Sequence, residues 1–182
     1  MPDARIRRAA AADLPVLTRL WQTAFGDPPE LIGAFYHRFP PQAAAWVVEV
    51  NGTVVTAAHL LGGRLHTADG TTLPCAYVYA ASTDPAQQGH GYASALMRRF
   101  AAEADANGCV LYTLPAEASL YAWYQSVMGT TQTARGTRLR IARAPDMQCP
   151  PVIERVSAQE YAALREQALR GRAHVELSAA LL

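Results

Sequence analysis

The sequence has no charge excess, no cysteine framework and no long apolar run. Sixteen basic residues stand against fifteen acidic ones, with no run of Lys or Arg, so the electrostatic footprint of a nucleic-acid partner is missing. Cys75, Cys109 and Cys149 are odd in number and far apart; no disulfide set is expected, and the first two sit in apolar, strand-like runs where a thiol serves as a small hydrophobe. Met1 to Ala12 carries Arg5, Arg7 and Arg8 but no apolar core of signal-peptide length, and no apolar run reaches membrane-spanning length. His37, His59, His66, His90 and His174 show no pairing at ligand spacing and there is no C-x-x-C, which argues against a metal enzyme. The expectation is a soluble, cytoplasmic protein with no metal, nucleic-acid or membrane partner.

About half of the 182 residues are apolar, enough to bury one ordinary core. Arg5 to Arg8 reads as a short strand, and Asp13 as the N-cap of a helix with Pro15 in its first turn. Val16, Leu17, Leu20, Trp21, Ala24 and Phe25 give that helix one apolar face, and Gly26-Asp27-Pro28-Pro29 ends it. A second helix is expected over Glu30 to Phe39. Trp46 to Val50 and Thr53 to Leu60 form a hairpin about a type I′ turn at Asn51-Gly52, and Leu73 to Ser82, after a turn at Asp69-Gly70, adds a third strand.

Next come a helix from Gly91 to about Ala106 and a strand, Cys109 to Leu114, expected to be buried on both faces. Ser119 to Val127 reads as a helix, Gly129 to Gly136 as loop, Thr137 to Ala142 as a strand and Pro145 to Pro151 as a linker. Ser157 and Glu160 form a capping box for a last helix to about Leu169. The expected organisation is a domain over residues 1–144, with a linker and helical C-terminal extension over 145–182. The extension is expected to fold back on the domain or to mediate a homodimer.

Gln88-Gly89-His90-Gly91-Tyr92-Ala93 lies between a strand and a long amphipathic helix. A glycine-bearing turn that opens a helix presents unpaired backbone N–H groups at the positive end of the helix dipole, which makes an anion site without a cationic side chain. Glycine allows close backbone approach, and Ala93 is small enough for the helix start to lie against a phosphate. A Rossmann fingerprint would need a small third residue where Ser94 stands, and an acidic ribose ligand is absent.

Gln88, Gly91 and Ala93 match the (Arg/Gln)-x-x-Gly-x-(Gly/Ala) motif of the GNAT superfamily, and from about residue 4 to 143 the order of elements resembles that family. The resemblance implies an α/β (α+β type) fold, a mixed twisted sheet with an antiparallel meander and a parallel splayed pair, flanked by helices. It also implies transfer of an acetyl group from acetyl-coenzyme A to a primary amine by direct attack in a ternary complex. The cofactor-binding residues implied are Gln87, Gln88, Gly89, His90, Gly91, Tyr92, Ala93 and Ser94 for the pyrophosphate, and Tyr79, Ala80, Ala81 and Ser82 for the pantetheine arm and thioester. Backbone near Ala80 would donate to the oxyanion.

Tyr124 is the general-acid candidate for the departing thiolate, with Tyr121 as competitor; Met128-Gly129 stands where the family carries Gly-Phe. Glu49, Glu117 and His59 are candidate bases, none assigned. Trp21, Phe25, Phe35, Tyr36 and Trp46 are candidates for the acceptor wall. The competing reading is a GNAT-like module that binds acyl-coenzyme A without transferring the acyl group. Residues from Val152 onward also resemble the start of the second half of two-part, Eis-like GNAT proteins.

Overall fold

In a computed structural model, which describes residues 3–132 and 155–176, the apolar run of the central hairpin is what organises the chain. Strand β2 (Ala45–Val50) sends Trp46, Val48 and Val50 to one face of the sheet and Ala45 and Val47 to the other. A strand buried on both faces needs apolar residues at both alternations. Its partner β3 (Thr53–His66) divides in the same way, with Val55 and Ala58 on one side and Val54 and Ala57 on the other.

Helices cover each face. On one, α1 (Leu14–Phe25) and α2 (Pro29–Arg38) bury Leu17, Leu20, Trp21, Ile32 and Tyr36. On the other, α4 (Tyr92–Ala106) and α5 (Leu120–Met128) bury Leu96, Met97, Phe100, Tyr124 and Val127. A single turn, α3 (Pro41–Ala44), leads into β2. The layers are helix, sheet, helix.

The sheet runs β1 (Ala4–Arg8), β2, β3, β4 (Thr72–Thr83), β5 (Val110–Thr113). All neighbours are antiparallel except β4 and β5, which run parallel across the α4 crossover. The expected mixed sheet, with its meander and parallel pair, is therefore present. Asn51 and Gly52 have φ of 50° and 80°, the double left-handed geometry of the type I′ turn.

Three expectations need correction. Asp13 does not cap α1: its carboxylate is drawn back to Arg7 of β1, at 2.6 and 3.1 Å, and to the Ala10 N–H at 2.7 Å, so it closes a 3₁₀ turn over Ala11–Asp13. Strand β3 does not end at Leu60 but continues through Gly62-Gly63 to His66, because β4 pairs with it along that stretch. Strand β5 is half-buried at all four positions, not buried on both faces; it ends the sheet path, so among the described residues one of its edges is uncovered. Leu114, beyond its end, is 73% exposed.

The expected strand Thr137 to Ala142, the linker Pro145 to Pro151, Cys149, most of the loop to Gly136 and the last residues lie outside the described residues. In the extension, the capping box is in place: Ser157 Oγ accepts from the Glu160 N–H at 3.2 Å and Glu160 accepts from the Ser157 N–H at 2.8 Å. It opens α6 (Ala158–Leu169). A two-residue strand, β6 (His174–Val175), then pairs with β3 at Leu65 and His66, on the edge left bare beyond the end of β2. The extension folds back on the sheet.

Candidate functional site

Pairing between β4 and β5 stops at Val78 and Thr113 while β4 continues to Thr83. Past that point the β4 backbone has no strand beside it on the β5 side among the described residues, and a cleft opens. At the same place the β3–β4 register shifts: His59 faces Tyr79, Ala57 faces Ser82, and two residues, Ala80 and Ala81, stand against Ala58 alone. This is a bulge in β4. Ala80 adopts φ of 45°, a left-handed conformation costing a non-glycine residue roughly 1–2 kcal/mol.

The surroundings hold the bulge. His59, 1% exposed, brings Nδ1 to 3.2 Å from the Tyr79 carbonyl and Nε2 to 2.9 Å from the Tyr36 hydroxyl. A carbonyl only accepts, so Nδ1 carries the hydrogen and Nε2 accepts from Tyr36. Burial lowers the His59 pKa to about 4, against a smaller opposing effect of the Tyr79 and Ala80 backbone. The ring is neutral at pH 7. Trp21 lies edge-on to the Tyr79 ring at 5.3 Å and Phe35 tilts against it at 5.5 Å, so the floor beneath the bulge is aromatic.

The cleft encloses about 130 Å³, and its walls include Tyr77 to Ala81, Thr113, Leu114, Trp21, Phe25, Asp27 and Tyr124. Tyr124 projects from α5 and is 8% exposed. Burial raises its pKa, partly offset by a hydrogen bond with the Thr113 side chain, so the phenol holds its proton at neutral pH. Tyr121 is 44% exposed and does not line the cleft. Asp27, read from sequence only as part of a helix stop, supplies a carboxylate to the wall, where its Oδ2 accepts from the Trp21 indole at 2.8 Å.

Beyond β4, a 3₁₀ turn (Pro85–Gln87) is capped by Asp84, whose carboxylate accepts from the Ala86 N–H at 3.0 Å. Gly89 and Gly91 follow with φ of 79° and 81°. The first bond closing α4 is donated by Ala95 to the Gly91 carbonyl at 2.9 Å. The N–H groups from Gly89 to Ser94 therefore have no backbone acceptor among the described residues, and they stand at the N-terminus of a 15-residue helix. His90 turns its Nδ1 to the carbonyls of Gln87 and Gln88, at 3.2 and 3.0 Å, and stacks on Tyr92. Ser94 Oγ accepts from the Trp123 indole at 3.2 Å, tying α5 to the start of α4.

The family model for the acetyltransferase (GNAT) domain matches residues 5–127. The chain belongs to the GNAT acetyltransferase family. An Agrobacterium tumefaciens protein assigned as an acetyltransferase is 26% identical, with a TM-score of 0.60 over 75% of this chain and 99% of that one. A Clostridium acetobutylicum protein assigned as an acetyltransferase, solved with acetyl-CoA, is 16% identical (TM-score 0.58), with 77% of this chain and 96% of that one covered. An Enterococcus faecalis protein assigned as an N-acyltransferase is 18% identical, with a TM-score of 0.59 over 68% of this chain and 32% of the other. This chain thus matches about a third of that longer protein. No curated protein matches the sequence.

Within this GNAT domain, Tyr79, Ala80, Ala81 and Tyr124 meet in one cleft, and Gln87 to Ser94 lies just beyond the end of β4. Ser82 is buried past the bulge and does not line the cleft. Of the candidate acceptor walls, Trp21 and Phe25 line it and Phe35 and Tyr36 lie in the core beneath. Trp46 does not wall the cleft: the alternation of β2 puts it on the opposite face of the sheet, against Phe100 and under the Arg8 guanidinium at 4.5 Å. Glu49 is taken up by Arg7, at 2.7 Å, and lies outside the cleft. Glu117 is exposed and accepts from the Ser119 hydroxyl at 3.2 Å.

Proposed function

We propose that this chain transfers an acetyl group from acetyl-coenzyme A to a primary amine by direct attack in a ternary complex. The observation that carries the reading is the meeting, in one cleft, of the β4 bulge at Ala80, the uncovered β4 backbone beyond Val78 and the protonated phenol of Tyr124. Acetyltransferase membership and the acetyl-CoA held by the Clostridium relative support the donor.

The residues present fit that donor. Unpaired N–H groups from Gly89 to Ser94 suit a pyrophosphate, and the uncovered β4 backbone suits the amide-bearing pantetheine arm. The thioester supplies an activated acetyl carbonyl. As the amine nitrogen bonds to that carbon and the carbon–sulfur bond breaks, a backbone N–H at the Tyr79–Ala80 bulge stabilises the oxyanion, and Tyr124 gives its phenolic proton to the departing sulfur. Asp27 attracts the acceptor as a cation; the ammonium gives one proton to water before attack, the nitrogen of the new amide gives a second to water, and solvent reprotonates Tyr124.

Release of free thiol across a panel of amines tests the reading: an acceptor-dependent rate supports transfer, and donor binding with no stimulation by any amine supports a binding module instead. All sixteen basic residues are Arg, so acetyl-lysine appearing on a protein acceptor cannot come from the chain itself. With the preferred amine, Asp27→Asn is expected to raise the acceptor KM about tenfold, ~1.4 kcal/mol of binding, and to leave the donor KM unchanged.

Gly91→Val separates donor binding from chemistry. A β-branched residue at φ of 81° is strained whatever space surrounds it, so the loop leaves its anion-binding conformation. Steady-state kinetics should show the donor KM rising about tenfold, with kcat changed less. A donor KM like that of the wild type would remove the loop from the donor site.

A further inference from the structure

Where β3 ends, well outside the cleft lining, three elements bring metal-ligating groups together. His66 and His174 are direct cross-strand partners, and their imidazoles stack with centroids 5.1 Å apart and planes at 27°. Glu166 reaches in from α6, with Oε2 at 2.7 Å from His174 Nε2. The ligand atoms of these three residues all lie within 4.8 Å of one another.

Each ligand is also held from behind. Nδ1 of His174 donates to the Arg172 carbonyl at 2.7 Å, which leaves Nε2 as the coordinating nitrogen of the neutral ring. Nδ1 of His66 meets the Thr72 hydroxyl at 3.1 Å, turning its Nε2 toward Glu176 Oε2 at 3.3 Å. Arg165 binds the other oxygen of Glu166 at 2.9 Å, and Arg64 grips Glu176 at 2.6 and 3.1 Å. Outer partners that fix the tautomer of a histidine and the rotamer of a carboxylate are the usual support of metal ligands.

Two imidazoles and a carboxylate suit a borderline divalent ion, whereas calcium and magnesium favour oxygen-only sets. Bonds of about 2.0–2.2 Å to a tetrahedral ion put ligand atoms roughly 3.3 Å apart, so side-chain adjustments of about an ångström or less complete the site. We propose that His66, His174 and Glu166 bind one zinc-class ion. None of these residues lines the cleft. The role is structural: the ion ties α6 and β6 to the tip of the β3–β4 hairpin and adds its binding energy to the docking of the extension.

Calorimetric titration of the chelator-treated full chain with Zn²⁺ tests this, with Co²⁺ absorption as a check on tetrahedral geometry. The wild type should bind one equivalent, and trypsin should cut after Arg165, Arg170 and Arg172 more slowly once it is loaded. The His66→Asn/His174→Asn variant should lose affinity by more than the roughly 10–100-fold that removal of an outer partner costs. Glu166→Gln, which leaves the histidine pair intact, should weaken binding about tenfold or more, and His90→Asn should not change it. No saturable binding by the wild type, equal binding by the double variant, or unaltered cleavage on loading would each overturn the proposal, the first in favour of a metal-free His174–Glu166 ion pair. Acyl transfer plays no part in these readouts.

Discussion

Tyr124→Phe is expected to lower kcat about 100-fold or more, within the 10²- to 10⁴-fold range of general acid catalysis, while donor and acceptor KM stay near their wild-type values. The phenol is buried beside Thr113 in the wall of the cleft, and burial holds its pKa up, so at neutral pH it has a proton to give to the thiolate. Removal of the hydroxyl alters little packing; the hydrogen bond lost is worth about 1 kcal/mol of stability, which a melting curve will register. A kcat-specific loss separates acid catalysis from binding, because an interaction made only in the transition state lowers kcat and kcat/KM together. A variant that releases coenzyme A at the wild-type rate with saturating amine would falsify the assignment of Tyr124.

The second large effect is on stability in mild acid. The ordinary histidine pKa, about 6.5, applies to His59 in the unfolded chain, and the folded value is about 4. Between those values the unfolded state binds the proton and the folded state does not, so stability rises with pH across this window. The contribution is complete above pH 6.5 and is lost as pH falls toward 4. At about 1.4 kcal/mol per pH unit, its full size is about 3 kcal/mol.

His59→Gln is expected to flatten the stability curve over that range. Denaturant titrations of both proteins at pH 7 and pH 4.5 provide the check, and equal pH dependence in the two would remove His59 as the cause. Asp13, whose pKa the Arg7 hydrogen bond depresses, has the same sign but acts below the ordinary carboxylate value. His174, raised by the Arg172 carbonyl and Glu166, has the opposite sign, and the difference between the two proteins cancels it. The variant also bears on the proposed mechanism, since His59 holds the Tyr79 carbonyl beside the bulge and its replacement loosens the backbone there.

Much of the architecture was legible in local pattern. Ala93, Leu96, Met97, Phe100, Ala101 and Ala104 recur at helical spacing in α4, and of these Leu96, Met97, Phe100 and Ala104 are buried while Ala93 and Ala101 are half-buried. The helix stop at Gly26, the turn at Asn51-Gly52 and the box of Ser157 and Glu160 were read from residue types whose backbone preferences need no tertiary partner. The reach of β3 to His66 was not legible, because Gly62-Gly63 reads as a break. In the folded chain a Cβ at Gly63 would meet Cys75 and Val175 at ordinary contact distances of 3.5 and 3.9 Å, so the space does not demand glycine there, and pairing with β4 and β6 outweighs its weak strand preference.

By itself the sequence determined the periodicity of each element, the turns between them and the glycine loop that opens α4, because each is set by residues within a few positions of one another. Only the tertiary structure decided which residues meet. The strand register makes Ala80 a bulge, the path of the chain after α1 turns Asp27 from a helix stop into a cleft carboxylate, and the return of β6 sets His174 against His66, 108 positions away in sequence. Such meetings depend on strand register and chain crossovers, which no local window of sequence contains.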